Sequence, residues 1–143
     1  MPAVVKTIAL KLGQVCIGSA EPKCRRIPHS PNRLNSLHWG EKKRWKDAWE
    51  EEVGWAWIRD KMKYEHLLKD LPFKKAQLEI FIFSIQAQDT DNAYASMKGI
   101  IDGLRKVKLI TDDDPSHLRV KITQAKVAHK EGERVELTIK EIK

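Results

Sequence analysis

Hydrophobic and polar positions along the chain predict a protein of mixed helices and strands. The segment EKKRWKDAWEEEVGWAWIRDKM, residues 41–62, repeats apolar residues at helical spacing and predicts a long helix. Tryptophans at this spacing are more often core or a dimer seam than partners for nucleic-acid bases. The residues on the predicted stripe are Trp45, Trp49, Val53 and either Ala56 or Trp57.

A second helix is predicted over residues 93–106, where the apolar positions again recur at helical spacing. Asp91 or Asn92 would cap its first turn, because short polar side chains accept hydrogen bonds from the free backbone N–H groups there. Gly103 is expected to weaken this helix only locally. The predicted core face consists of Ala93, Met97, Ile100, Ile101 and Leu104.

Four segments have the composition of strands: residues 4–12, 77–85, 118–128 and 135–142. The second of these, QLEIFIFSI, is apolar on both faces and therefore predicts a central strand. The last two are joined by the turn HKEGER. Residues 13–40 contain several Pro, Gly, Ser and Asn residues and are expected to form a long irregular loop.

The predicted order is strand, helix, strand, helix, strand, strand. This order predicts a mixed α/β or α+β fold, in which a β-sheet of about four strands is covered by two helices. A chain of 143 residues has the length of one domain, so residues 1–143 are taken as a single unit.

Charge is distributed unevenly along the chain, whose formal net charge is +7. Residues 1–46 carry ten Lys or Arg side chains against only Glu21 and Glu41, a net charge of +8, and the remainder carries −1. A basic half of this kind is typical of a protein with a polyanionic partner, nucleic acid first. The alternative is a solvated surface that keeps the protein soluble. The basic residues expected to contact DNA are Arg25, Arg26, Arg33, Lys42, Lys43, Arg44 and Lys46.

The two cysteines, Cys16 and Cys24, do not form a disulfide-rich pattern and match no CxxC spacing. A reduced, intracellular setting is therefore expected, and with no apolar run long enough to span a membrane and no signal peptide we predict a cytoplasmic protein. A zinc site built from both cysteines with His29 and His38 is a weak alternative, because these spacings fit no common zinc pattern. Most of the five histidines are expected to be ordinary surface or core residues, and only His117 is expected to border a site.

Two short polar breaks concentrate negative charge: QDTDN at residues 88–92 and TDDDP at residues 111–115. Each alone has an ordinary explanation as a helix cap or a turn. Whether they meet depends on the direction of the strand that follows the second break. We expect them to meet if that strand is parallel to the strand before the first break, or if a few of residues 107–112 run back toward it. Carboxylates that met would need a cation, and oxygen ligands without nearby Cys or His favour Mg²⁺ or Mn²⁺.

Lys98 lies on the stripe of the second helix that faces away from the predicted core. Its side chain is expected to tilt toward the helix N-terminus and Asp91. A lysine near a metal-bound phosphate can stabilise charge in a transition state. The alternative is a surface contact between Lys98 and Asp102, four residues later.

At these residues the sequence resembles the RusA-type Holliday-junction resolvases, a family of metal-dependent endodeoxyribonucleases common in phages and prophages. The resemblance rests on three elements: Asp89-x-Asp91-Asn92, then Lys98-x-x-x-Asp102-Gly103-Leu104, then Asp112-Asp113-Asp114. It is strongest over residues 78–117 and weaker at PHSPNR, residues 28–33, which resembles a Pro- and Asn-containing segment of the family and adds Asn32 to the expected DNA contacts.

The resemblance implies a homodimer that hydrolyses phosphodiester bonds in pairs at four-way junctions or other branched DNA, with Mg²⁺ as cofactor and Mn²⁺ as a substitute. Carried over to this chain, Asp89, Asp91 and Asp113 would bind the metal, and Lys98 would be an essential lysine. Asp112 or Asp114 could serve in place of Asp113. Such an enzyme would act in DNA recombination and repair.

Two other classes of function fit parts of the same sequence. The first is a non-catalytic protein that binds branched DNA and uses its acidic breaks only as caps and turns. The second is a dimeric interaction module whose tryptophan-rich helix is the seam.

Overall fold

A computed structural model describes residues 6–86, 93 and 95–142 of the chain, without the side chains of Pro31 and Asn32. The chain also contains two 3₁₀ segments, Lys61–Asp70 and Lys130–Gly132. The strands are β1 (Thr7–Leu12), β2 (Val15–Ile17), β3 (Lys23–Arg25), β4 (Ala76–Ser84), β5 (Leu118–Lys126) and β6 (Arg134–Glu141). The helices are α1 (Pro31–Asn35), α2 (Trp39–Asp60) and α3 (Lys98–Lys106).

The main sheet has four strands in the order β1-β6-β4-β5. Strand β6 is antiparallel to both of its neighbours, and β5 is parallel to β4. Apolar residues that pair across the sheet form rows on its buried face, as in the row Ile8, Ile139 and Leu78. The sheet is therefore mixed, and β4 is an interior strand as its sequence predicts.

Helices α2 and α3 cover the apolar face of the sheet and share its hydrophobic core. All five residues of the predicted core face of the second helix are buried, although α3 begins at Lys98, so Ala93 and Met97 precede it. The predicted caps, Asp91 and Asn92, lie outside the described residues. In α2, Trp45, Trp49 and Trp57 are buried, so the predicted stripe is core. The fold is thus an α+β arrangement of a four-stranded mixed sheet, one long helix and a second helix.

Glycines set the distance between the two helices. A Cβ atom at Gly103 would lie 2.9 Å from the Val53 Cβ atom and 3.1 Å from backbone atoms of Glu50. A Cβ atom at Gly99, one turn earlier, would lie 3.1 Å from the carbonyl oxygen of Lys46. Gly103 is therefore a packing requirement at the helix crossing and not only a local weakness in α3.

The expectation of an irregular loop over residues 13–40 is wrong in part. Strands β2 and β3 pair as an antiparallel hairpin, and α1 begins with Ser30 as its cap. Three-residue strands are too short for an alternating pattern, which is why the sequence did not reveal them.

A disulfide joins Cys16 and Cys24, which are directly opposite one another in this hairpin. The expectation of reduced cysteines is therefore not met in the structure, because cross-strand register brings together two residues whose spacing in sequence carries no recognisable signal. The same bond removes the thiolates that the alternative zinc site would require.

The two C-terminal strands are connected as predicted but do not pair with each other. Strand β6 lies between β1 and β4, and β5 lies beside β4 on its other side. None of the helices in the described part of the chain is both long and apolar enough to cross a membrane.

Candidate nucleic-acid interface

One pocket brings together residues that the sequence assigned to two separate roles. Lys42, Lys43 and Lys46, expected to contact DNA, line the same cavity as Lys98, the lysine expected to be essential for catalysis. The cavity has a volume of about 300 Å³ and lies where α1, α2 and the first turn of α3 meet. Packing of α3 against α2 places Lys98 there, since Gly99 contacts the backbone of Lys46.

The four lysines differ in how much of their charge is free. Lys43 pairs with Asp47 at 2.9 Å, and Lys46 pairs with Asp102 at 3.2 Å and Glu50 at 3.4 Å. Lys42 donates a hydrogen bond to the uncharged Asn35 side chain at 3.3 Å. Lys98 is exposed and has no ion pair with any residue that the structure describes. Lys42 and Lys98 are therefore the cations available to an anionic ligand.

Asp102 belongs to the predicted motif, and its partners differ from the expected surface contact with Lys98. Its buried carboxylate accepts a hydrogen bond from Lys46 on α2, and Arg105 is 3.5 Å away. The hydrogen bond with Asp102 is the main cause that raises the pKa of Lys46. Asp102 thus joins α3 to α2 electrostatically and neutralises part of the pocket charge.

The other basic residues of the N-terminal part lie in different settings. Arg33 and Arg44 are exposed on α1 and α2. The Arg25 guanidinium donates to the Ile27 carbonyl, and burial lowers its pKa. Arg26 donates to the Glu131 carbonyl. Asn32 lies within α1, outside the described side chains.

Residues of the second acidic break are held at the opposite end of α3. Arg105 lies 3.6 Å from an Asp112 carboxylate oxygen and 3.7 Å from one of Asp113. About seven residues of helix, or about 10 Å along the axis, separate Arg105 from Lys98. The two ends of α3 therefore carry different chemistry.

Asp114 acts as the cap of the turn that leads into β5. Its carboxylate accepts hydrogen bonds from the backbone N–H groups of Ser116 and His117 and contacts the side chains of both. These bonds, that of the Ser116 hydroxyl first, lower the pKa of Asp114 to about 2. The structural explanation for this Asp as a turn residue is supported by these contacts, and His117 does border the acidic break.

Strand β5, which follows the second acidic break, is parallel to β4. Leu118, at the start of β5, pairs with Ala76, at the start of β4. The second break therefore lies near the start of β4, about 26 Å along this nine-residue strand from its end. The meeting of the two breaks stays a prediction, because the first break falls outside the described residues. Asp89 and Asp91 themselves lie outside the described residues.

Metal-ligating side chains do not converge in the part of the chain that the structure describes. No group of three or more His, Cys, Asp or Glu side chains there could hold a metal ion. Asp112 and Asp113 are near Arg105, and Asp114 is committed to its turn. The described carboxylates therefore do not form a magnesium site by themselves.

Several pocket residues, among them Trp39, His29 and Leu34, have no counterpart among the predicted site residues. Trp39 is 74% exposed at the start of α2, and His29 and Leu34 also line the cavity. Trp39 carried a usable signal, because it is a large aromatic residue beside a basic cluster and precedes the buried tryptophan stripe. His29 and Leu34 carried none, since their place depends on how α1 packs against α2.

Comparisons with known proteins were made against protein-family models and against curated sequences. No family model matches this chain, and no curated protein matches it.

Proposed function

We propose that the protein is a metal-dependent endonuclease that acts on branched DNA such as a four-way junction, as a homodimer, in recombination or repair. The observation that carries this proposal is the shared pocket, in which the expected essential Lys98 lies among the expected DNA-binding Lys42, Lys43 and Lys46. One phosphate group could contact both sets of residues there.

The proposed roles of the basic residues follow from which of their charges are unpaired. Lys42 and Lys98 have no carboxylate partner among the described residues, so they can neutralise phosphate oxygens without first breaking an ion pair. Arg33 and Arg44 extend the exposed positive surface on both sides of the loop between α1 and α2. Contacts of this kind bind DNA through its backbone and weaken as salt concentration rises.

Carboxylates for the reaction would come first from Asp89 and Asp91, which precede Lys98 in the chain. They would hold Mg²⁺, which when bound supplies a Lewis acid for the scissile phosphate and an attacking water molecule. Lys98 would stabilise negative charge on the phosphate oxygens in the transition state. The DNA substrate would place the protein in the cytoplasm.

Asp113, the third proposed carboxylate, stands beside Arg105 at the other end of α3. A homodimer offers a way to reconcile this position with a shared site, because a second copy could present its Asp113 to the Lys98 end of the first. We therefore propose Asp113 as a contribution from the partner chain, with Asp112 or Asp114 as the alternatives from the same segment.

The second candidate is a protein that binds branched DNA without cutting it. The contacts of Arg105 with Asp112 and Asp113 favour it, because they account for two of the acidic residues without a metal. In this case the pocket lysines would keep their role, and the acidic breaks would be caps and turns only.

The experiment that separates these candidates uses labelled four-way and linear DNA, incubated with the protein in Mg²⁺, in Mn²⁺ or in EDTA. The endonuclease predicts symmetric nicks near the branch point in either metal and none in EDTA. Binding without cutting in both metals would support the second candidate. A protein that bound neither DNA at low salt would contradict both and leave the interaction module.

A further inference from the structure

The pocket beside Lys98 has an aromatic lining that phosphate binding does not require. Trp45 and Trp49 are buried in its wall, and His29 packs against Trp45 at 4.8 Å between ring centroids with an edge-on geometry. Trp39 adds an exposed indole. A volume of about 300 Å³ lies at the lower end of the range of about 300–1,000 Å³ that is typical of small-molecule sites. A single planar ring system is the kind of ligand that such a cavity suits.

Polar atoms in the same wall are left without partners. His29 Nδ1 and Trp49 Nε1 are buried and make no hydrogen bond with any residue that the structure describes. Buried polar groups are normally paired, so unpaired nitrogens on two residues that line one cavity are unusual. Trp45 is not counted with them, because its side chain forms a hydrogen bond with Glu41. This bond, after that of Lys23, lowers the pKa of Glu41.

A planar ring suits this aromatic lining, and a nucleobase is a planar ring that is linked to a phosphate group. His29 is uncharged at neutral pH, because burial first and the nearby Arg25 and Arg33 next lower its pKa to about 4. A neutral imidazole offers one donor and one acceptor, which also matches the edge of a base. The lining of the pocket is therefore aromatic, polar at a few points and uncharged at its centre.

The rim of the pocket supplies the complementary charge. All four charged residues that line it are lysines, and none of the described lining residues is acidic. Lys42 and Lys98 are the two without a carboxylate partner. A ligand with an aromatic ring at one end and a phosphate at the other matches both the lining and the rim.

We propose that this pocket holds one unpaired nucleotide of a DNA strand, with its base among Trp39, Trp49 and His29 and its phosphate on Lys42 and Lys98. The inference rests on the proposed DNA-acting function for the source of the nucleotide. It adds that the protein recognises an unstacked base, such as one displaced near a branch point. Aromatic side chains bind any base by stacking, so the pocket gives preference for unpaired structure over sequence.

The test compares two duplexes that differ only in the presence of a base. One carries a single unpaired nucleotide, and the other carries an abasic residue at the same position, so backbone charge is identical. Binding is measured by fluorescence anisotropy of the labelled DNA with the full chain, in EDTA and at low salt. The pocket predicts about tenfold tighter binding of the duplex with the unpaired base.

Trp39→Ala should abolish that preference, and the matched control is Trp55→Ala. Trp55 is 53% exposed on the same helix but does not line the pocket, so its removal should leave the preference unchanged. Equal affinity of the wild-type protein for the two duplexes would overturn the proposal, as would a preference that survives in Trp39→Ala.

Calorimetric titrations with deoxynucleoside monophosphates and with inorganic phosphate distinguish a free nucleotide from a DNA strand as the source of the ligand. A protein that bound the monophosphate but no DNA would contradict both the pocket proposal and the endonuclease. A protein that cut four-way DNA in Mg²⁺ without any preference for the unpaired base would contradict the pocket proposal alone. Cutting and preference are therefore independent readouts.

Discussion

The two ends of α3 hold similar charged residues in opposite states. At the first end, Lys98 is exposed in a pocket and has no partner among the described residues. At the other, Arg105 contacts three carboxylates, and Lys106 pairs with the buried Glu50. Charges that are already paired stabilise the fold, whereas an unpaired cation in a concave site is available for a ligand. We therefore place the proposed function at the end of α3 that carries Lys98.

The largest expected effect is that of Asp91 and Asp113, which precede and follow α3 in the sequence. Asp91→Asn and Asp113→Asn should each lower cleavage of four-way DNA by at least about 100-fold, because each removes a proposed metal ligand. Binding of the junction should remain, because the basic pocket is untouched. The measurement is a single-turnover cleavage assay with each variant.

Mixing the two variants after joint unfolding and refolding tests where Asp113 acts. If a site combines Asp91 of one chain with Asp113 of its partner, mixed dimers contain one intact site and regain nicking activity. Continued inactivity of the mixture would place all carboxylates of a site in one chain. Full activity of Asp113→Asn alone would remove Asp113 from the site and leave the Arg105 contact as its role.

A second expected effect is a dependence of stability on pH through His29 on the pocket side. Its pKa is about 4 in the folded protein against an ordinary value of 6.5. As pH falls from 6.5 to 4 the unfolded chain takes up the proton first, so the free energy of unfolding should decrease by up to about 3 kcal/mol. This contribution is complete above pH 6.5 and lost below pH 4.

Urea denaturation at several pH values measures this effect. His29→Gln should remove most of the decrease between pH 6.5 and 4, and His66→Gln, at an exposed histidine, should not. An identical pH dependence in the wild-type protein and His29→Gln would show that other groups cause the decrease.

A third prediction tests the packing that places Lys98 beside α2. Gly103→Ala should lower the free energy of unfolding by about 1–3 kcal/mol, because the new Cβ atom would lie 2.9 Å from Val53. Gly54→Ala is the matched control in α2, where the nearest such atom is 3.9 Å away and alanine favours the helix. Equal stability of the two variants would contradict the close helix crossing.

The smallest expected effect concerns the charge balance of the pocket. Asp102→Asn keeps the shape of the side chain but releases Lys46 from its main partner. Binding of duplex DNA at low salt should become about threefold tighter, with a steeper dependence on salt. Asp60→Asn, which removes the same charge beside Lys63, should change affinity less, and an equal change would show that only net charge matters.

Much of the fold could be predicted from local patterns, whereas the site depends on long-range register. Periodicity identified α2, α3 and β4, because helices and interior strands repeat apolar residues over many positions. The pairing of Leu118 with Ala76, which places the second acidic break near the start of β4, has no local signal. The packing of α3 against α2, which brings Lys98 near Lys46, is equally non-local. Its only local sign is the pair of small residues Gly99 and Gly103, which the close packing requires.

The central claim is that Lys98, and not the other end of the same helix, acts on DNA. The most direct test measures cleavage of four-way DNA in Mg²⁺ by Lys98→Ala and by Lys106→Ala, which remove the same charge from the two ends of α3. We predict that Lys98→Ala lowers the single-turnover rate by at least about 100-fold and that Lys106→Ala lowers it less than about threefold. Equal rates for the two variants would contradict the claim.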